Sequence, residues 1–525
     1  MRDVGVEAKT MTGAEALVAT LANHGVTACF ANPGTSEMHL VTALDQEPRI
    51  RSVLCLFEGV ATGAADGYAR VTGTPAMTLL HLGAGFLNAG ANIHNAKRAF
   101  SPMINVIGDH AVPHLRYDAP LTSDIMGLAG PNSAWIKSAD RVGDTGALAA
   151  EAWAASFGPA PGPVSLILPA DSAWNEGGIV GAKRARPSLR NTLSVRIEAA
   201  AKAVRAAAKP MILINGSALT AEGLGHAARL KAAGIRVVTD TFFARQARGA
   251  GRFAPDRMQY FAEGAMSDLQ GTDLMIIAGT QAPVAFFSYP GKPSLLVPEG
   301  CTPLLLGGAE SDSAGSLAAL ADALGAKDAA APALLDLPGT PAGPLTAASI
   351  GASIARHMPE GTFVSDDGVS NGLASFLMTA RARPHDWMML TGGAIGQGMP
   401  LALGAALGAR GQKVLCLTGD GAGMYTNQAL WSMSREGLDV VTVVFVNHSY
   451  RILNIELART GAGNPGRVAA DLLGLDRPEI DWVALSQSQG VPAVNAVTAE
   501  AFDAALARAF AEPGPHLIAA LVPAR

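Results

Sequence analysis

Cysteine is scarce in this chain: its 525 residues hold only Cys29, Cys55, Cys301 and Cys416, none in a C-x-x-C pair. That excludes a disulfide framework and a paired-thiolate metal or redox motif, and buried reduced thiols of a cytosolic protein are expected. Charge is also sparse, at 16% of residues with a net value of −5, which leaves no basic footprint for nucleic acid. The short basic stretch AKRARP (182–187) reads as a solvated linker. Apolar runs stay short of the ~18 residues that a membrane span needs. The N-terminus MRDVGVEAKTMTGAEALVATL has no apolar signal core, so a cytoplasmic protein is expected. No short repeat occurs, which excludes a solenoid.

What the chain does have is length and apolar content. Its 49% apolar residues can fill large cores, and about 150 residues per domain suggests three of them. Short Val-, Ile- and Leu-rich runs alternate with Ala-rich helical stretches, the pattern of parallel sheets covered by helices on both faces. The runs at 27–34, 52–59, 75–83, 102–109 and 162–171 form a first block, closed by a polar linker at 172–192. A helix near 194–207 and strands at 210–216, 235–240 and 273–280 form a second. A connector rich in Pro, Ala and Gly at 329–344 leads to a third, with strands at 362–368, 386–393, 413–421 and 440–447. The fold class is α/β with three doubly wound parallel-sheet domains, at 1–178, 190–330 and 345–525.

The third block carries the densest chemistry. TGGAIGQGMPLALGAALG (391–408) follows a strand and opens a helix, a turn that lets backbone approach a phosphate-bearing ligand. A dinucleotide site is the competing reading, since Asp420 follows the next strand, but the third glycine of that pattern is missing and Pro400 intervenes. In Gly419-Asp420-Gly421 a carboxylate sits at a strand's carboxyl end, and Asn447 ends the neighbouring run VVTVVFV. A carboxylate, an amide oxygen and a nearby main-chain carbonyl make an incomplete hard-oxygen shell, which Mg²⁺ completes with phosphate oxygens and water. Taken alone, G-D-G is a tight turn; the spacing to Asn447 makes it a metal motif.

G-D-G, then 25 residues, then Asn resembles the thiamine diphosphate signature of acetolactate synthases, benzoylformate decarboxylases and pyruvate decarboxylases. The resemblance spans essentially the whole chain. It implies a pyrimidine-binding domain, a central domain and a diphosphate-binding domain, with Asp420, Asn447 and the carbonyl of Ser449 holding Mg²⁺. The family's usual pair of asparagines is here Val446-Asn447. FEGVATGAADGYARVTG (57–73) is similar to the family's glutamate motif and aligns Glu58 with the carboxylate that protonates the aminopyrimidine. An apolar setting favours retention of the carboxyl proton. The resemblance also makes Ile395 the residue that bends the cofactor and the Gly393 carbonyl the acceptor of its amino group.

Further matches bear on the reaction. His81 in LLHLGAG looks like the active-site histidine of benzoylformate decarboxylase, a proton relay at a strand end. A structural histidine bonded to a backbone carbonyl is the alternative. Thr35 in NPGTSE stands where the decarboxylases point a hydroxyl at the substrate carboxylate. The second decarboxylase histidine has no counterpart in APVAFFSYPGKP (282–293); His110 and His114 are nearby candidates. Gly108-Asp109, Pro120-Leu121 and Glu456 depart from the acetolactate synthase pattern, with Ile452 and Glu456 expected to line the pocket. The expected activity is on 2-ketoacids. It is an acetolactate synthase-like carboligation or, alternatively, a benzoylformate-type decarboxylation; a nicotinamide dehydrogenase and a non-catalytic homologue are the remote readings. The resemblance leaves FAD binding in the central domain open. It implies a homodimer or homotetramer with active sites at the dimer interface.

Overall fold

The apolar runs of the sequence become strands, and the Ala-rich stretches between them become the helices that cover the sheets. The structure, a computed structural model, describes residues 10–289, 291–329, 334–461 and 466–523. The expected domain ends at 1, 330 and 525 lie outside those residues. The chain separates into two compact units, Met1–Ser188 and Leu189–Arg525.

In the first unit the strands are β1 (Ala28–Ala31), β2 (Arg51–Leu54), β3 (Ala76–His81), β4 (Met103–Asp109), β5 (Ile136–Ser138) and β6 (Pro163–Pro169). They form one parallel sheet in the order β2-β1-β3-β4-β6-β5. β4 and β6 are buried along their whole length, as strands covered on both faces must be. Alternation along the strands separates two apolar layers. Met77, Leu79, Ile104 and Val106 join one, while Leu80, Ile107 and Ile167 join the other. The run expected as a strand at 52–59 leaves the sheet at Leu54, and Glu58 opens the helix Glu58–Thr72.

The second unit contains two sheets. One joins β7 (Pro210–Ile214), β8 (Arg236–Thr239), β10 (Asp256–Arg257), β11 (Leu274–Ala278) and β12 (Thr302–Gly307) in the parallel order β10-β8-β7-β11-β12. The other runs β17-β18-β16-β15-β13-β14-β9. It is built from β9 (Gln246–Arg248), β13 (Phe363–Asp367), β14 (His385–Met389), β15 (Val414–Gly419), β16 (Val440–Val446), β17 (Ala493–Ala496) and β18 (His516–Leu521). β9 pairs antiparallel with β14, although it comes from the segment that follows β8. A continuous apolar core including Ile212, Ile276, Phe243, Val364, Leu415 and Val443 accompanies that exchange, so the two sheets pack as one unit. β5, β9, β10, β12, β17 and β18 are not anticipated by the sequence reading. β5 and β9 are short, and β12 and β17 are only partly buried, so they lack the long apolar runs on which that reading rests. Among the described residues no helix is long and apolar enough to cross a membrane, and none of the four cysteines is in a disulfide.

Candidate active site

In a doubly wound sheet, ligands bind beyond the carboxyl ends of the strands where the strand order reverses. In the first unit β1 lies between β2 and β3, so the reversal falls there. Three segments leave the sheet at that edge: 32–37 after β1, Glu58 after β2, and His81 at the end of β3. Glu58 is buried at the first turn of its helix, and the Asn88 side-chain amide donates to its Oε2 at 3.0 Å.

His81 is a fifth exposed, and its Nδ1 lies 2.8 Å from Oε2 of Glu37, which is fully enclosed. A carboxylate only accepts, so the Nδ1 proton points at Glu37 and Nε2 is left to exchange protons. The Gly34 N–H donates to the same Glu37 oxygen at 2.7 Å, and Ser36 Oγ stands 3.4 Å from His81 Nδ1. This pairing has no tolerance for side chains around it. A Cβ at Gly34 would come within 2.2 Å of His81 Nδ1, and one at Gly108 within 1.8 Å of Glu37 Oε1. Leu82, which follows His81, is fully buried in the left-handed region at φ 49°. Such a conformation for a bulky residue is held by its surroundings and is typical of functional sites.

Thr35, expected to present a hydroxyl to substrate, is exposed on the short helical turn Thr35–Glu37. His110 follows β4 with its Nε2 enclosed and unpartnered, and its ring centre lies 5.2 Å from that of the exposed His114, the two rings tilted by 57°.

The second unit builds its candidate site from backbone. β13 lies between β14 and β15, so its order reverses at β13 and β15. The Gly-rich turn follows β14, Asp420 follows β15 and Asn447 follows β16. Asp420 Oδ2 accepts from the N–H groups of Asn447 at 3.0 Å and His448 at 2.7 Å, while Oδ1 accepts from its neighbour Gly421 at 2.9 Å. Asn447 Oδ1 accepts from the Ser449 N–H at 3.0 Å, and the Ser449 carbonyl accepts from the Arg451 N–H at 2.9 Å. His448 is held at φ 54° by this network.

Both Asp420 and Asn447 are buried, and burial raises the Asp420 carboxyl above its ordinary range. A cation beside Asp420 would reverse that shift. One carboxylate oxygen, one amide oxygen and one carbonyl each keep a lone pair, and a Cβ at Gly419 would meet nothing within 4 Å. This hard-oxygen set beside open space fits Mg²⁺ and a phosphate-bearing group. Gly393 turns at φ 75° with its neighbour Ile395 half-buried.

Two residues that support these features have no role in the sequence reading, although both lie in stretches it quotes. Glu37 ends NPGTSE, and only the adjacency of β1 and β3 brings it to His81. Asp367 ends β13 fully buried, and its Oδ2 accepts from Gly396 at 2.8 Å and Gly398 at 3.2 Å. Burial pushes its carboxyl up to about 7. Glu456, expected to line the pocket, is already engaged: the Tyr289 hydroxyl donates to it at 2.6 Å and Arg459 at 3.0 and 3.1 Å. Ile452 is half-buried on the same helix, Arg451–Arg459.

Comparison with known proteins bears on both candidate sites. The family description "Thiamine pyrophosphate enzyme, N-terminal TPP binding domain" matches residues 11–128, and the corresponding C-terminal TPP binding domain matches 367–520. The chain is 48% identical over 518 residues to IlvX of Mycobacterium tuberculosis, provisionally named an acetolactate synthase large subunit, covering 98% of this chain and 99% of IlvX. It is 27% identical to the benzoylformate decarboxylase of Pseudomonas aeruginosa, covering 95% and 96% of the two chains. The solved thiamine diphosphate-dependent 4-hydroxybenzoylformate decarboxylase of Rhodococcus jostii RHA1 superposes with a TM-score of 0.86 over 98% of this chain and 99% of that one. At 22% identity that match speaks for the fold alone.

Proposed function

Because the chain belongs to the thiamine pyrophosphate enzyme family, we propose that it is a thiamine diphosphate- and Mg²⁺-dependent decarboxylase of 2-ketoacids. When bound, thiamine diphosphate would supply the electron sink that loss of CO₂ requires. The chain's own residues do the rest. Asp420, Asn447 and the Ser449 carbonyl hold Mg²⁺ against the diphosphate, with Gly419 leaving room for it, while Gly421 lets the Tyr450 ring close on the turn. Gly393 and Ile395 hold the aminopyrimidine in place, and Glu58 exchanges a proton with its ring nitrogen. Thr35 and Ser36 offer hydroxyls at the substrate end, and His81 returns a proton to the product.

The observation that carries the decarboxylase reading is the 2.8 Å contact between His81 Nδ1 and the enclosed Glu37. An anchored imidazole with Nε2 available is suited to relay a proton. The second reading is an acetolactate synthase-like carboligase, in which the decarboxylated fragment is joined to another carbonyl compound. The 48% identity with IlvX favours it. By the family resemblance the enzyme works as a homo-oligomer, Glu58 of one copy serving the cofactor held by Asp420 of another.

Product analysis with thiamine diphosphate, Mg²⁺ and either pyruvate or phenylglyoxylate tests the proposal. One aldehyde per CO₂ supports the decarboxylase. Two ketoacids consumed per CO₂, with a new carbon–carbon bond in the product, assigns the carboligase. CO₂ from neither substrate rejects both.

A further inference from the structure

Arg451 opens the helix Arg451–Arg459, just after the stretch proposed to hold the metal. Its N–H donates to the Ser449 carbonyl at 2.9 Å, which ties its backbone to the proposed metal shell. Its guanidinium differs from those of nearby arginines. Arg459 on the same helix pairs with Glu456 and Glu263, and Arg245 pairs with Asp386. Among the described residues Arg451 has no carboxylate partner, and its one side-chain bond runs from Nη1 to Oδ1 of Asn371 at 3.4 Å. That is long for an N–H···O bond, and it engages one of several donors. Arg451 is half-buried, so its charge is neither fully solvated nor neutralised by the protein.

Strand order gives that long contact its meaning. β15 lies between β16 and β13. Arg451 follows β16, Asn371 follows β13, and Asp420 follows β15. The Arg451–Asn371 contact therefore spans the carboxyl end of β15, where the proposed metal ligand stands. Both footings are firm. Asn371 is buried, and its N–H donates to the Gly368 carbonyl at 2.9 Å. The intervening Val369 is held at φ 46°, a conformation that a β-branched residue adopts only when its surroundings impose it. On the other side the Tyr450 ring packs against the Gly421 turn, where a Cβ would lie 2.4 Å from it.

The anion proposed for that place is a diphosphate, and its charge sets the requirement. Part of the Mg²⁺ charge is balanced by the Asp420 carboxylate, so the metal alone does not neutralise a diphosphate. A guanidinium without an acid partner supplies the missing charge, and its planar fork matches two phosphate oxygens. We propose that Arg451 is a further cofactor-binding residue, which exchanges Asn371 for the diphosphate of thiamine diphosphate and so gives the chain a hold on that group that does not pass through the metal. The inference rests on the thiamine diphosphate and Mg²⁺ reading of the site. Its physical basis is the replacement of one long bond to a neutral amide by charge-assisted bonds to phosphate.

The test uses the full chain freed of cofactor. Inorganic diphosphate and thiamine diphosphate are each titrated by calorimetry, once with Mg²⁺ and once with EDTA. Arg451→Gln should weaken both ligands roughly tenfold or more in Mg²⁺, the scale of one hydrogen bond to a charged group. It should also remove the weak binding that survives EDTA in the parent. Arg451→Lys, which keeps the charge and loses the fork, should recover part of the affinity. The gap between parent and Arg451→Gln should narrow with added salt, because a half-buried charge is partly screened. Affinity of Arg451→Gln within about twofold of the parent, no recovery in Arg451→Lys, or no EDTA-resistant binding by the parent overturns the inference. Asp420→Ala separates it from the reading beneath it. Loss of Mg²⁺-supported binding in Asp420→Ala with none in Arg451→Gln refutes the role of the arginine alone, whereas full binding in Asp420→Ala refutes the metal site.

Discussion

The candidate sites of the two units are built from different materials at equivalent places in their sheets. In the first unit the working groups are side chains that hold one another: Asn88 on Glu58, and Glu37 on His81. In the second unit the holding is done by main-chain N–H groups, three of them on Asp420 and two on Asp367. Both sites place a non-glycine residue in the left-handed region directly after a proposed functional residue, Leu82 after His81 and His448 after Asn447. Proton transfer needs an ionisable atom whose partner sets its protonation, while charge neutralisation at a diphosphate needs donors and a cation that do not move. Under the proposed function, reactivity would fall to the first unit and anchoring to the second.

That assignment is most exposed to changes that should break one site only. Asp420→Ala should abolish retention of thiamine diphosphate, because the variant loses both the proposed metal ligand and the acceptor that organises residues 447–448. Calorimetric titration of the cofactor checks this, and unchanged affinity would remove Asp420 from the anchoring site. Glu58→Gln should do the reverse, leaving cofactor affinity nearly intact while slowing exchange of the thiazolium C2 proton by orders of magnitude. Exchange followed by NMR at the parent rate would clear Glu58 of its role. Mixing these two inactive variants under conditions of subunit exchange should restore roughly a quarter of parental activity, if two copies share each site. No recovery despite exchange seen by mass spectrometry would contradict that sharing.

Smaller effects sharpen the same contrast. His81→Ala should lower turnover on the order of 10²- to 10⁴-fold, as loss of a proton relay does, with cofactor affinity kept. Glu37→Gln should cost a fraction of that and shift the pH profile of kcat, because the imidazole loses its anionic partner. A pH profile unchanged in Glu37→Gln would make the contact merely structural.

Asp367 gives the smallest signal. Its carboxyl is raised to about 7 from an unfolded value of about 3.9. The stability it contributes is therefore fully present at low pH and is lost as pH rises through about 7. Asp367→Asn keeps an acceptor for Gly396 and Gly398 and removes the titration. The Tm of the parent minus that of the variant should thus fall with rising pH across this interval and level off above it. A flat difference would show that Asp367 does not titrate there.

Sequence alone determined the parallel-sheet architecture, because strands buried on both faces must be written as continuous apolar runs. It also placed Gly419-Asp420-Gly421 beside Asn447, since both sit at the ends of such runs and their spacing is that of adjacent parallel strands. Glu58 and His81 stood out only through the resemblance of their motifs to a known family. Tertiary structure alone decided what completes them. Glu37 meets His81 across 44 positions of sequence because β1 and β3 are neighbours. Asp367 reaches a turn about thirty residues away because β13 and β14 are paired. Phe286 stands at Gly393 because the two sheets of the second unit pack on one core. Periodicity records which face of an element is covered, but not which distant element covers it. Side-chain partners and pocket walls are set by that second choice.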